Sequence, residues 1–231
     1  MIATSRFVHI HLHKSGGTFV NECLLRFFPE AQRLGYHLPR SLIPAEWAAL
    51  PVLGFVRNPW SYYVSWYAFQ SQRPQPNALF RVLSEDGTLD FKSTLRNMLS
   101  LGEPGSKLDE LLAQLPPSYT THGLNLPAFA LAPIRDSGLG FYSYLFRYMY
   151  AGDPAKLSVG RTETLRADLL AFLDRIGAVP SRPMLDFIRR GPPLNASGHD
   201  AFANYYDRTS REHVRARDGA LIEQFGFRFD G

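Results

Sequence analysis

The chain is 231 residues long, 45% hydrophobic and 20% charged, which is enough to bury a substantial core and fits one domain with insertions. A single cysteine, Cys23, excludes an intramolecular disulfide, and no run approaches the ~18 consecutive apolar residues of a membrane-spanning helix. The net charge of +4 comes almost wholly from arginine, 21 against 4 lysines. The arginines are scattered and no reader motif accompanies them. That argues against nucleic-acid binding, while the guanidinium fork suits phosphate or sulfate.

Residues 6 to 12 alternate or run apolar with β-branched members and predict a first strand. The stretch His11-Leu-His-Lys-Ser-Gly-Gly-Thr-Phe19 then enters a helix, on which Phe19, Val20, Cys23, Leu24 and Phe27 recur at helical spacing until Pro29 stops it. Strand, Gly-Gly turn and helix N-terminus form a phosphate cradle. Gly16 and Gly17 let successive N–H groups face one anion, the helix dipole adds positive potential, and Lys14 brings a full charge. The order is not that of a Walker A loop, whose lysine follows its glycines.

A second extended piece leads to His37, within Gly35-Tyr-His-Leu-Pro39. Residues 51 to 56 predict a short buried strand ending at Arg57, and Pro59 suits the first position of a helix from about 59 to 70. Ser65, eight residues after Arg57, falls in the second turn, where its hydroxyl and the guanidinium can converge on a further phosphate. The alternation of strands and helices predicts an α/β fold whose central parallel sheet, flanked by helices, offers ligand sites at the carboxyl ends of its strands.

A polar, proline-containing connection from Gln70 to Asn77 introduces a mostly helical middle section, so that about 71–150 forms an insertion that covers the sheet of a single domain, 1–231. Its aromatics, Phe141, Tyr142, Tyr144, Phe146, Tyr148 and Tyr150, suit packing better than an acceptor pocket. A strand over 156–160 precedes a helix with Leu165, Leu169, Phe172, Leu173 and Ile176 on one face, ended by Gly177. Thr209-Ser-Arg-Glu212 reads as a capping box for a last helix with Val214, Leu221, Ile222 and Phe225 inward.

The strand-Lys-Ser-Gly-Gly-Thr loop, the downstream His-Leu-Pro, and the Arg-Asn-Pro with a serine eight residues after the arginine together resemble the PAPS-dependent sulfotransferases. Weaker similarity continues in Val159-Gly-Arg-Thr-Glu163, Leu194-Asn-Ala-Ser197 and Tyr205-Tyr-Asp207. The resemblance implies a P-loop-NTPase-like sulfotransferase fold with a helical insertion. It also implies 3′-phosphoadenosine 5′-phosphosulfate (PAPS) as co-substrate, with no metal required. Lys14, Ser15, Gly16, Gly17, Thr18 and Phe19 would hold the 5′-phosphosulfate, and Arg57 with Ser65 the 3′-phosphate. Lys14 and His37 would be catalytic, His37 as the base that takes the proton of an acceptor hydroxyl, on a carbohydrate or a small molecule. Asn195 and Ser197 suggest a late loop over the co-substrate.

Each reading has a plainer competitor. His37 can be a hydrogen-bonded structural histidine, and Trp60, Tyr62, Tyr63, Trp66 and Tyr67 suit core packing better than stacking on adenine. His9, His11 and His13 share one side of the first strand and raise a zinc or copper site, yet no Cys, Asp or Glu at ligand spacing joins them. The rival functions are a P-loop small-molecule kinase using ATP and magnesium, and a non-catalytic module that holds an anionic nucleotide or a glycan. The N-terminal residues show no charged segment followed by a long apolar one, so no signal peptide or anchor is expected and the cytoplasm is the default compartment.

Overall fold

The computed structural model describes residues 1–229 apart from 122, 193 and 195–197. Along the chain run β1 (Ile2–Ala3), β2 (Val8–His9), α1 (Gly17–Phe27), β3 (Gln32–Arg33), β4 (Val52–Val56), α2 (Pro59–Ser71), α3 (Ala78–Ser84), α4 (Phe91–Leu99) and α5 (Leu108–Gln114). They are followed by α6 (Ala128–Leu131), α7 (Phe141–Tyr150), β5 (Leu157–Arg161), α8 (Leu165–Arg175), α9 (Arg182–Arg190) and α10 (Arg208–Phe225). The chain divides into two compact units, one of Met1–Arg57 with Met149–Ala196, the other of Asn58–Tyr148 with Ser197–Gly231.

The first unit is α/β: a five-stranded sheet in the order β3-β1-β2-β4-β5, flanked by helices. β2, β4 and β5 are parallel as the strand–helix alternation predicts, with Val8 beside Val52 and the β4–β5 ladder running from Val52 beside Leu157 to Val56 beside Arg161. The sheet is nevertheless mixed, because β1 runs against both β2 and β3. The cause is local. Thr4 and Phe7 close a tight turn, Thr4 N donating to the Phe7 carbonyl at 2.9 Å and Phe7 N to Thr4 Oγ1 at 3.0 Å. So short a link can join only antiparallel strands, whereas a parallel pair needs a crossover.

Of the strand expected over 6–12, only Val8–His9 keeps sheet geometry. Ile10 N still donates to the Leu53 carbonyl at 2.9 Å, and beyond it the chain leaves β4. The hydroxyl of Tyr150, at the end of α7, fills the place the strand vacates. It accepts from Phe55 N at 3.0 Å and lies 3.0 Å from the Phe55 carbonyl and 3.4 Å from that of Ile10, with its ring on Gly54, where a Cβ would fall 2.3 Å from it. A buried ladder that would otherwise end in unpaired groups is thus closed by a side chain.

The core of this unit joins Phe7, Leu53 and Phe55 from the sheet region to Phe19, Val20, Cys23 and Leu24 of α1, Leu165, Leu169, Phe172 and Leu173 of α8, and Met184 and Ile188 of α9. Large apolar side chains of this kind contribute roughly 1.5–3 kcal/mol each by leaving water. The inward face expected for the helix after β5 is the one observed, with Ile176 partly buried just beyond its end and Gly177 at φ 65 following. Burial pushes the Cys23 thiol up to about 12, consistent with an inert core residue.

The second unit is helical. The aromatics of α2 pack inside it: Tyr62 stacks on Tyr142 with centroids 3.7 Å apart, and Trp60 Nε1 donates to the Arg211 carbonyl at 3.0 Å. Tyr63 donates its hydroxyl to Asp218 Oδ2 at 2.7 Å, while Asp218 Oδ1 accepts from Ser143 N at 2.9 Å. Asp218 lies at a break in α10, with φ −111 and ψ 16, and burial raises the pKa of its carboxyl group. The capping box of α10 is not the Thr209–Glu212 pair that the sequence suggests. Asp207 is the N-cap and exchanges bonds with Ser210, because an aspartate carboxylate two residues earlier already satisfies the first-turn donors. Among the described residues, no helix is long and apolar enough to cross a membrane.

Candidate functional site

The carboxyl ends of the parallel strands β2 and β4 lead into residues 14–18 and Arg57. After β2 the chain turns through Lys14, at φ 54, and Gly16, at φ 77, before Gly17 opens α1. Two left-handed residues separated by Ser15 curl the backbone, and such turns aim consecutive N–H groups at one point. A left-handed lysine costs roughly 1–2 kcal/mol, so the surroundings must hold it. They do so through Arg57, which follows β4 and whose Nη1 donates to the Lys14 carbonyl at 3.3 Å. Gly16 is the N-cap of α1 and supplies no side-chain cap, and no acidic residue occupies the first turn. The positive end of the helix is therefore not neutralised by its own sequence.

Neither glycine tolerates a side chain. A Cβ on Gly16 would lie 2.2 Å from Leu165 Cδ1 at the start of α8, and one on Gly17 would lie 1.9 Å from Cδ2 of His11. The loop thus rests on α8 on one side and on an imidazole on the other. Thr162, between β5 and α8, completes the strand ends by donating its hydroxyl to the Val56 carbonyl at 3.1 Å.

Positive charge is concentrated here. Partial burial, with Arg57 next in weight, brings the Lys14 ammonium down to about 8, so it still carries its charge at neutral pH but holds the proton less tightly than a solvated lysine. Ser15 is buried, with its hydroxyl donating to the His13 carbonyl at 3.2 Å, and Thr18 is half-exposed in the first turn. Phe19 turns the other way. Its ring belongs to the core, stacked on Phe187 at 5.1 Å and covered by the Arg166 guanidinium at 4.7 Å.

His37 joins this group. It adopts φ 49, a left-handed conformation that histidine tolerates better than most residues, and this folds its ring back toward the loop. The ring stacks on His13, with centroids 3.7 Å apart and planes 16° from parallel, and lies 4.4 Å from that of His11. His37 Nδ1 donates to the His11 carbonyl at 2.9 Å, which places its proton on Nδ1 and leaves the Nε2 lone pair as the basic atom. Burial outweighs that bond and lowers its pKa to about 4, so the ring is neutral at pH 7. A neutral imidazole with a defined tautomer, close to a curled cationic loop, can accept a proton from a bound hydroxyl.

Of the residues singled out in the sequence, Lys14, Ser15, Gly16, Gly17, Thr18, Arg57 and His37 lie in one region of the first unit. Ser65 is buried in α2 of the second unit, and Asn195 and Ser197 lie outside the described residues. His9, His11 and His13 form no metal cluster: among the described residues, no group of three or more His, Cys, Asp or Glu could hold a metal ion. Contacts of Thr162 and Asn21 with this region were not anticipated. The Val-Gly-Arg-Thr-Glu segment was a signal for the first. Nothing local marks the second, whose contacts depend on how α1 lies on the sheet.

No family model matches the chain, and no curated protein matches it. Among solved structures it is similar to mouse sulfotransferase SULT7A1 complexed with PAP, at a TM-score of 0.44 and 12% identity, over 95% of this chain and 84% of the other.

Proposed function

We propose that the protein is an O-sulfotransferase that moves a sulfuryl group from PAPS to a hydroxyl of a carbohydrate or small-molecule acceptor. The observation that carries the reading is the joint arrangement at the carboxyl ends of the parallel strands. There a Lys-Ser-Gly-Gly turn opens α1, Arg57 is bonded to that turn, and His37 is held on Nδ1 by His11.

PAPS supplies an activated sulfuryl group and a phosphate leaving group. The chain has to bind both and stabilise the charge that grows on the leaving oxygen. In this reading the N–H groups of the turn and the dipole of α1 hold the 5′-phosphosulfate, and Lys14 neutralises the developing negative charge. Arg57, bonded to the same turn, favours a second anionic group. His37 takes the acceptor proton at Nε2, a task worth typically about 10²–10⁴-fold. Placing Arg57, not a carboxylate, at the end of β4 favours an anion over the magnesium that a kinase would hold there.

The test is transfer of labelled sulfur from PAPS to a panel of oligosaccharide, phenol and alcohol acceptors. Transfer should be undiminished by EDTA, lost in Lys14→Ala, and lost in His37→Ala with PAPS affinity nearly unchanged. Occupancy by PAPS without transfer to any acceptor would favour a binding module, and a requirement for magnesium with ATP would favour a kinase.

A further inference from the structure

The proposed base does not stand alone, because a buried polar chain runs behind it. Asn21 lies on α1, only 6% exposed, facing the segment of β2 and its extension that carries His9 and His11. Its Oδ1 is 3.1 Å from His9 Nδ1, and its Nδ2 is 3.2 Å from His11 Nδ1. An amide oxygen only accepts and an amide nitrogen only donates. With the amide oxygen toward His9 and the amide nitrogen toward His11, His9 carries its proton on Nδ1, and His11 presents a bare Nδ1 and carries its proton on Nε2.

His11 is the joint between the two halves of the site. Its ring lies against Gly17, at the mouth of the anion loop, and its carbonyl receives the Nδ1 proton of His37. Its ring also lies 4.4 Å from that of His37. Whatever fixes the His11 ring fixes both the floor of the loop and the imidazole that packs 4.4 Å from that of His37. Asn21 is the described group that bonds that ring. A polar side chain so deeply buried is costly to satisfy, and leaving it without partners costs about 1–3 kcal/mol. An apolar residue would serve packing better at this face of α1, where Val20 and Leu24 are core.

We propose that Asn21 is a positioning residue that acts through His11 to hold the anion loop and His37 in register. The proposal rests on the function argued above, in which His37 is the base. It gives α1 a second task besides its dipole: the same helix that faces the anion also orients the histidine beneath it.

The experiment uses the full chain labelled with ¹⁵N histidine, reading each ring's tautomer from long-range proton–nitrogen spectra. The intact protein should show His9 and His37 protonated on Nδ1 and His11 on Nε2, and a His11 protonated on Nδ1 would overturn the proposal before any substitution. Asn21→Leu, close in volume and without polar atoms, should let the His11 signals average between tautomers and shift the ring signals of His37, which packs against His11. It should also lower kcat about tenfold or more, a larger factor than the one by which it weakens binding of 3′-phosphoadenosine 5′-phosphate. A variant that keeps the tautomer pattern and kcat of the intact protein would overturn it. Asn21→Asp offers only acceptors, so it should move a proton onto His11 Nδ1 and lower kcat; an unchanged His11 spectrum would overturn it too. The spectra need no turnover. If the intact protein transfers sulfur to no acceptor while the tautomers respond as stated, the sulfotransferase reading has failed and the coupling of Asn21 to His37 stands.

Discussion

Gly17→Ala tests the contact on which the site is assembled. The backbone at Gly17 is ordinary helix, so the cost is one of space: the added methyl would sit 1.9 Å from Cδ2 and 2.4 Å from Cγ and Nε2 of His11. Ordinary contact begins near 3.4 Å, so ring and helix must separate by about 1.5 Å. Such a movement is incompatible with the 3.2 Å bond to Asn21, and losing that buried bond costs about 1–3 kcal/mol. Overpacking strain adds about 1–3 kcal/mol, and the better helix propensity of alanine returns at most about 1. A net loss of about 1–6 kcal/mol follows, with a middle value near 3, a large part of the 5–15 kcal/mol of a typical folded chain. In urea it should lower the unfolding midpoint by about 1 M for an m value near 3 kcal/mol/M. The double variant Gly17→Ala/His11→Ala removes the ring the methyl meets, so it should be more stable than the sum of the single effects requires. A Gly17→Ala protein with the wild-type midpoint, or strict additivity in the double variant, would refute the reasoning.

Two further outcomes follow from the buried polar groups. Burial lowers the pKa of His9 to about 3 and that of His37 to about 4, both from 6.5. On acidification the unfolded chain takes up protons first, so the stability these neutral rings confer is full above pH 6.5 and drains away as pH falls toward 4 and then 3. For His9, fully buried, each unit is worth about 1.4 kcal/mol, and urea midpoints at pH 7, 6 and 5 should fall steadily. His9→Leu should flatten that slope, and an equal slope would count against it. Tyr150→Phe should cost about 1–3 kcal/mol in urea unfolding, because Phe55 N is left without the hydroxyl that replaces a strand partner; a loss below about 0.5 kcal/mol would mean that the ladder closes some other way.

Much of the site was legible in the chain because its signals are local. Two glycines after a lysine, at the junction of a strand and a helix, restrict the backbone whatever lies elsewhere, and both Lys14 and Gly16 take the left-handed conformation such a turn requires. Arg57 was marked by the strand it follows and the proline two residues later. The apolar faces of α1 and α8 were legible for the same reason, since helical spacing of Leu24 or Leu169 reports burial without a tertiary model of the partner.

The reversed β1, the hydroxyl of Tyr150 in the gap beside Phe55 and the link from Asn21 through His11 to His37 were not legible. Each depends on residues brought together from distant positions, and no periodicity encodes which polar atom meets which. The chain by itself determined an α/β unit with a curled cationic loop at a helix N-terminus, because backbone sterics and side-chain spacing act over a few residues. Packing alone decided that the loop rests on the imidazole of His11, that this ring is bonded by an amide on the following helix, and that the His11 backbone carbonyl sets the tautomer of the proposed base. Those choices turn on contacts of a few ångströms between separate segments, which exist only after the strands and α1 have closed over a common core.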